Sequence, residues 1–569
     1  METSEFSGRQ SGKEGLSGLR LFLLASAVYL LCMLPYFLAY LPYLTTSLIG
    51  PPIDNMQDFW NTWYSQRVWD AGGHGFFYTH LVRYPEGVAL YYHTFAYSDL
   101  AVIFLIRKLF HLSTDIPVLL GLHNGALLAS LYLSALGAFY LARRFTRNTV
   151  SALLAGFIFG FCPFHLAHFL THMHVATIEF IPFFVLCFLR AVDTGRPVYV
   201  AGSIFFYVLS ALSCWYFLVY LAYFLVFYYV FQAVTQKRLV IWRPLWVAAA
   251  NLAGVLLLLS PILLPMIREG WGNPDVYAPG SGEYVADALG YFVPDPYHLL
   301  TDLGRRVYTH FTGYYIEMRV YLGLVNLALF AWALWNRKRR QIPEMTFLLS
   351  GTLVFMMFAS GPFLHIYGHS VVALPTLVLD YLPFVSNMRT SARAVVFVYL
   401  LFGIGAGLGL DLIIQSCRQQ NRSLLRWITP ICVLAFLDFY PVDLSRTIVS
   451  PPPAYALLAA DKETDFGILD LPRGYLQGNA YMLYQTFHHR PIVSATLSRR
   501  ITRTLMDNLE TDDMAAQKRT LTQLKVKYIV IHHDIIAEHN PGERVDVAAY
   551  ARTYPAIYYD DTAVVLKVY

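Results

Sequence analysis

The sequence predicts a polytopic α-helical membrane protein followed by a small α/β domain, and three observations carry that reading. Apolar stretches long enough to cross a bilayer, singly or in pairs, are separated by six clusters of positive charge: Lys13/Arg20, Arg143/Arg144/Arg147, Arg190/Arg196, Lys237/Arg238/Arg243, Arg337/Lys338/Arg339/Arg340 and Arg418/Arg422/Arg426. Of the 569 residues, 56% are hydrophobic and only 14% charged, with mean hydropathy +0.46, where a soluble domain carries about a quarter charged residues. The apolar pattern stops near Tyr440, where Pro441 and then Pro451-Pro452-Pro453 form a stiff linker into strand-like runs.

Counting stretches of roughly 17 to 25 apolar residues gives about eleven spans, centred near Tyr29, Leu128, Gly156, Val185, Phe205, Phe224, Val255, Leu327, Phe355, Tyr399 and Val433. The first, Leu21 to Leu44, is too long for a signal-peptide core and reads as an uncleaved span. Lys and Arg stay cytoplasmic in short loops, so the basic clusters mark the inner ends. A tail of residues 1–20 is then cytoplasmic, and the long loops 46–115 and 268–318 lie on the outer face. Two segments resist counting. Tyr97 to Phe110 is short and ends in Arg107-Lys108, and Leu364 to Tyr381 is broken by Gly368 and Pro375. Both read as interfacial or re-entrant pieces, because a full span at the first would turn Arg143, Arg144 and Arg147 outward.

Eleven crossings place the C-terminal part outside the membrane. The transmembrane part covers 21–440, a linker 441–460, and an extracytoplasmic α/β domain 461–569. Strand-like runs Phe466 to Leu469, Lys527 to Ile531 and Ala563 to Leu566 flank a helical stretch from Thr502 to Leu524. The net charge of +5 resides mostly in the inner clusters, which argues orientation and not nucleic-acid binding. The six cysteines lie in or beside apolar spans and read as core residues.

The first outer loop holds the densest set of candidate residues. Asp54 follows the first span and opens an aromatic stretch through Asp58, Trp60 and Trp63, which continues to Arg83-Tyr84-Pro85-Glu86-Gly87 and His93-Thr94-Phe95. One reading makes Asp54 a helix cap with Gln57 completing a capping box, and Trp60, Trp63 and Trp69 interface anchors. The other makes it a catalytic carboxylate. These features, with Cys162-Pro163-Phe164-His165-Leu166-Ala167-His168 and His172, Leu382-Pro383-Phe384 through Arg389 to Arg393, and Tyr484-Gln485-Thr486-Phe487-His488, resemble the GT-C superfamily of integral-membrane glycosyltransferases, in particular an uncharacterised bacterial branch.

The resemblance implies transfer of a sugar from a polyprenyl-phosphate donor to a cell-envelope glycan or lipid acceptor, on the outer side of the plasma (inner) membrane. It further implies inversion at the anomeric carbon and a first-loop carboxylate as base: Asp54, with Asp58 second. A carboxylate suits that role because a sugar hydroxyl is a poor nucleophile until its proton is taken. Tyr84, Glu86 and His93 are the substrate-binding candidates. The second outer loop lacks the acidic residue that many metal-assisted members carry and offers His165, His168, His172, His174 and Glu179. Spacings of three and four place His165, His168 and His172 on one helical face, so two roles stay open: a divalent metal held with Glu179, or hydrogen bonds to donor phosphate and acceptor hydroxyls. Arg389 and Arg393, four apart at an outer mouth, match phosphate geometry; snorkelling to headgroups is the plainer alternative. Tyr314, Tyr315, Glu317 and Arg319 close the long outer loop. A transporter or flippase of a lipid-linked saccharide is the alternative function, though such proteins place ionisable groups near mid-membrane and carry repeats.

The orientation is testable by labelling. Cysteines introduced at Ser17, Asn148 and Asn336 are expected to resist a membrane-impermeant thiol reagent in intact cells while those at Ser281 and Ser498 react; labelling at Asn148 without labelling at Ser281 would invert the topology.

Overall fold

The structure, a computed structural model, describes residues 17–271, 273, 284–299, 301–313, 315–382, 385–440, 442–498, 505, 509, 513–533 and 545–569. Lys13, Ser281, Tyr314, Pro383, Phe384, Pro441 and most of 502–512 lie outside the described residues.

Each of the eleven apolar centres falls within a helix. Among the described residues, five helices are long and apolar enough to cross a membrane: Ile116–Phe145, Met173–Thr194, Trp215–Gln236, Trp242–Gly270 and Ser391–Gln419. Two bent pairs raise that number to seven, Gly18–Cys32 with Leu34–Tyr43 at 54° and Thr149–Gly160 with Pro163–Phe169 at 45°. Pro35 and Pro163 sit in the first turn of the second member of each pair, where the missing N–H breaks the ladder from the preceding helix. Pro197–Ser213, Leu324–Asn336 and Glu344–Ala359 are apolar but shorter.

The helix Val395–Gln419 runs through the middle of the bundle and is buried on nearly every side. Alternating glycines make that possible. A Cβ on Gly407 would meet the Ser151 carbonyl oxygen at 2.7 Å and one on Gly403 would meet Ile158 at 3.1 Å, while Gly405 and Gly409 press on Phe330 and the Leu329 backbone. Glycines four apart thus form two flat faces, one for Thr149–Gly160 and one for Leu324–Asn336, the close approach that drives helix association where lipid supplies no hydrophobic force.

Arg144 and Arg243, from two of the basic clusters, meet at Asp193. Arg144 pairs with Asp193 at 2.8 Å, Arg243 donates to the Asp193 carbonyl at 3.0 Å, and Thr146 donates to Asp411 at 2.8 Å. At the end away from Asp193 lie the loops. The segment Tyr97–Leu109 is a 13-residue helix whose Arg107 pairs with Asp70 at 2.5 Å. Leu364 to Tyr381, expected as an interfacial or re-entrant piece, is a hairpin, Phe363–Ile366 with His369–Ala373, followed by a 3-10 turn. Tyr367 and Gly368 both have positive φ (54° and 80°), which gives the primed turn that closes a two-residue hairpin.

Beyond the last helix, Gly467–Leu471, Val526–His532, Ala563–Lys567 and Ala556–Tyr559 form a four-stranded sheet in that order. The first pair is parallel and the others antiparallel. The first two strands are buried at every residue, as expected of strands covered on both faces. Backbone ties join this part and the linker before it to the first loop: Ser47–Ile49 pairs with Arg446–Ile448, Ile492 donates to the Leu81 carbonyl at 2.9 Å, and Tyr84 donates to the Ile492 carbonyl at 3.1 Å.

Gly407→Ala and Gly409→Ala are expected to lower the melting temperature of the purified protein. Gly125, which has nothing within 4 Å of an added Cβ, should tolerate alanine or gain up to about 1 kcal/mol from helix propensity; equal melting of all three variants would remove the close-packing argument.

Candidate functional site

A cavity of about 1000 Å³ opens at the loop end of the bundle. Its walls come from segments far apart in sequence: Asp54 and Asp58 from the first loop, His172 and His174 from the second, Arg389 and Arg393 at the start of the buried helix, and Tyr475 and Thr496 from the C-terminal part. Trp215, Leu218, Leu263 and Ile267 make one side apolar.

The capping expectation for Asp54 is not met. The cap position is Ile53, without a side-chain bond, and Gln57 donates instead to the Thr496 carbonyl at 2.6 Å. The Asp54 carboxylate is taken up by tertiary partners: Asn479 Nδ2 donates to Oδ1 at 3.0 Å, and His172 Nε2 lies 3.0 Å from Oδ2. The other His172 nitrogen, Nδ1, is 2.7 Å from Thr171 Oγ1, whose own hydrogen goes to the Ala167 carbonyl. Both nitrogens therefore donate, which is the hydrogen-bonding state of an imidazolium. Burial opposes both charges, yet the pair holds Asp54 below its ordinary value and lifts His172 above its own.

Asp58, one turn on, sits in a different environment. It is 4% exposed, accepts one backbone bond from Met173 N–H at 2.7 Å, and burial pushes its carboxyl up to about 7.

Behind His172 the charges continue inward. His168 Nδ1 is 3.4 Å from His172 Nδ1, and His168 Nε2 is 3.4 Å from Glu317. Glu317 receives Arg393 Nε at 3.1 and 3.2 Å, and Arg393 Nη2 as well. Arg393 also lies over the Tyr216 ring at 4.9 Å. Its fork is thus already engaged by a carboxylate. Arg389 lines the cavity and has no ion pair or side-chain hydrogen bond among the described residues.

Other sequence candidates lie elsewhere. His165 turns away, Nδ1 2.8 Å from the Gly160 carbonyl and Nε2 3.1 Å from Ser130, because its helix ends at Phe169 and His172 follows a break; the single helical face for His165, His168 and His172 is not formed. Glu179 accepts from the same Ser130 at 3.0 Å, inside the bundle. Tyr84 packs against Gly467, Glu86 is exposed, and neither lines the cavity. His93 does, but its Nε2 is bound to Asn61 at 2.8 Å and burial brings it down to about 3, the neutral form. Arg319 pairs with Asp295 at 3.1 Å, away from the cavity. Among the described residues no three of His, Cys, Asp and Glu are set to hold a metal ion, and the Asp54 oxygens are already bonded, so the divalent-metal option does not fit these side chains.

Sequence reasoning missed Tyr475 and Asn479, and singled out Gln485 only as part of the motif Tyr484 to His488. Trp60 and Trp63, expected as interface anchors, are buried beneath the helix Tyr475–His488, where Trp60 Nε1 donates to Gln485 at 2.6 Å. The available signal was the polar set Gln477, Asn479 and Gln485 within one apolar helix, all buried here.

Residues 79–438 match the family model described as a domain of unknown function, DUF6311. No curated protein matches the sequence. Among solved structures, the Archaeoglobus fulgidus oligosaccharyltransferase in the apo form aligns at TM-score 0.54 and 12% identity, covering 90% of this chain and 69% of that one. The archaeal oligosaccharyltransferase AglB from Archaeoglobus fulgidus, in complex with an inhibitory peptide and a dolichol-phosphate, aligns at 0.53 and 12%, covering 91% and 69%. ArnT from Cupriavidus metallidurans in the apo state aligns at 0.51 and 11%, covering 97% and 98%. The likeness establishes the GT-C fold for this polytopic membrane protein.

The Asp58 environment gives a signed pH dependence. A carboxyl raised from about 4 unfolded to about 7 folded stabilises the fold fully below pH 4, and that contribution is lost as pH rises through 7. Asp58→Asn is expected to melt progressively higher relative to wild type between pH 5 and 8 in detergent; a pH-independent difference would refute the raised value.

Proposed function

We propose that this chain, which belongs to the DUF6311 family, is a membrane glycosyltransferase that moves a sugar from a polyprenyl-phosphate donor to a cell-envelope glycan or lipid acceptor, with Asp54 as base. The observation that carries the reading is the ionised Asp54, fixed on both oxygens at the wall of a cavity that also presents Arg389 and an apolar side. The fold shared with an oligosaccharyltransferase and with ArnT supports the same kind of chemistry. Eleven crossings, an inner N-terminus and an outer C-terminal domain in the plasma membrane complete the proposal.

In the proposed step an acceptor hydroxyl enters beside Asp54. Its oxygen attacks the anomeric carbon as Asp54 takes the proton. The bond from that carbon to the phosphate oxygen breaks, the electron pair leaves with the polyprenyl phosphate, and one direct displacement inverts the centre. Asp54 is kept deprotonated for this by His172, while Asp58, at about 7, is partly protonated at neutral pH and is tied to the Met173 N–H. Arg389 faces the leaving phosphate. Arg393, engaged by Glu317, adds positive charge behind it. The apolar wall suits a polyprenyl chain.

Asp54→Asn keeps the size and the bond to Asn479 Nδ2, so the protein should fold; turnover of radiolabelled polyprenyl-phosphate sugars in membranes should fall by roughly 10² to 10⁴ if general-base catalysis is lost. Turnover near wild type would discard Asp54 as base, and wild-type binding of donor without transfer would favour a transporter.

A further inference from the structure

The end of the bundle away from the cavity carries a charged surface that the proposed step does not use. Helices Leu324–Asn336 and Val395–Gln419 run the same way: Tyr399 donates to the Tyr321 carbonyl at 2.7 Å, and further along a Cβ on Gly409 would meet the Leu329 carbonyl oxygen. Nine residues beyond that second contact stand Lys338 on one side and Arg418 on the other. Leu424–Asp438 runs the opposite way. Val325 N–H donates to Asp438 at 3.4 Å, and twelve residues from each partner stand Arg337 and Arg426. The paths match, about 14 Å in the first case and about 18 Å in the second at the rise of a helix. Arg337-Lys338-Arg339-Arg340 and Arg418, Arg422 and Arg426 therefore emerge at one level.

Nothing acidic answers them. Residues 337–343 and 418–426 contain no Asp or Glu, and the neighbouring Asp411 accepts from Thr146. Among the described residues none of these cations has an ion pair or a side-chain hydrogen bond, whereas Arg144 and Arg243 share Asp193. All but the half-buried Arg337 are exposed. Beside them stand apolar side chains open to the surroundings: Trp335 at 85% and Leu425 at 78% exposed, with Trp332 and Trp427 about half exposed. Arg422 lies over the Trp427 ring at 5.6 Å.

Orienting a chain during insertion requires basic loops one at a time. It does not require two of them gathered at one level, without a carboxylate, beside tryptophan. That combination has two parts, cations for phosphate and aromatic faces at the level where headgroups meet acyl chains. An acidic soluble protein would answer the first part and leave the tryptophans uncovered; a phospholipid answers both. We propose that this surface is a binding site for anionic phospholipids, whose phosphates are held by the 337–340 and 418–426 cations while the glycerol and upper acyl chain lie against Trp335 and Trp427. The site is independent of the chemistry in the cavity.

The test compares melting of purified protein in nanodiscs of phosphatidylcholine alone and of equal parts phosphatidylcholine and phosphatidylglycerol. A ligand that binds the folded state raises its melting temperature, so phosphatidylglycerol is expected to raise that of wild type by a few degrees, roughly 2 to 4 °C. Replacing Arg337, Lys338, Arg339 and Arg340 by Gln, or separately Arg418, Arg422 and Arg426, should remove most of the shift and leave melting in phosphatidylcholine unchanged, since these side chains bond to no other. Arg305→Gln with Arg306→Gln, exposed and outside this surface, should keep the shift. Wild type alone supplies a second measurement: phosphatidylglycerol should be enriched over phosphatidylethanolamine among the lipids that copurify, relative to the membranes of origin, as read by mass spectrometry. No shift in wild type, an equal shift in all variants, or no enrichment overturns the proposal. A shift produced by soluble polyglutamate and not by phosphatidylglycerol overturns it in favour of an acidic protein partner.

Discussion

The cavity wall depends on a buried line of ionisable side chains, Arg393, Glu317, His168, His172 and Asp54, closed at its outer end by Asn479. Each charge alone would be costly away from water. Arg393 with Glu317 and His172 with Asp54 compensate one another as pairs, joined through the His168 imidazole, and removing one member of a pair strands its partner, which is why breaking a buried pair costs far more than the pair contributes. The line also fixes geometry. It joins the first loop, the second loop, the segment before Leu324–Asn336, the start of the buried helix and the C-terminal part, so the position of Asp54 depends on five separate parts of the chain.

Asp54 and Asp58 show how environment divides labour between identical groups. They are one helical turn apart and both line the cavity. One faces an imidazolium and two further donors and is held ionised; the other has a single backbone N–H and is pushed up by burial. Pairs of carboxyls driven apart in this way are how acid and base roles become distinct at one pH. His172, from the second loop, supplies the positive charge beside Asp54 directly.

What could be read from the sequence follows from what is local. Apolar runs report helices because hydrophobic length is a property of contiguous residues, and the strand-like runs Phe466 to Leu469, Lys527 to Ile531 and Ala563 to Leu566 lie on observed strands for the same reason. Asp54 and Arg393 could be singled out because charge beside an apolar span is conspicuous. Trp60 and Trp63 misled, since an aromatic residue near a membrane end looks the same whether it meets headgroups or a covering helix. The hairpin at Phe363–Ala373 hid behind Gly368, which marks a break in a helical reading and a tight turn in a strand reading. Asn479 and Gln485 carried only the weak local signal of polar residues in a helical run. Their partners are Asp54 and Trp60, each 425 residues away, and only the tertiary structure states that pairing.

The strand pair Ser47–Ile49 with Arg446–Ile448 and the bond from Asn479 to Asp54 also bear on how the protein is made. Ribosomes add about 5 to 20 residues per second, so the first loop is synthesised on the order of 20 to 85 seconds before the 425 intervening residues are finished and Asn479 can reach Asp54. Through that interval the first-loop strand lacks its partner and the aromatic face of the Asp54–Asp70 helix lacks its cover. A nascent chain therefore leaves both surfaces uncovered until its distal part arrives, and a chain cut short before Arg446 keeps them uncovered.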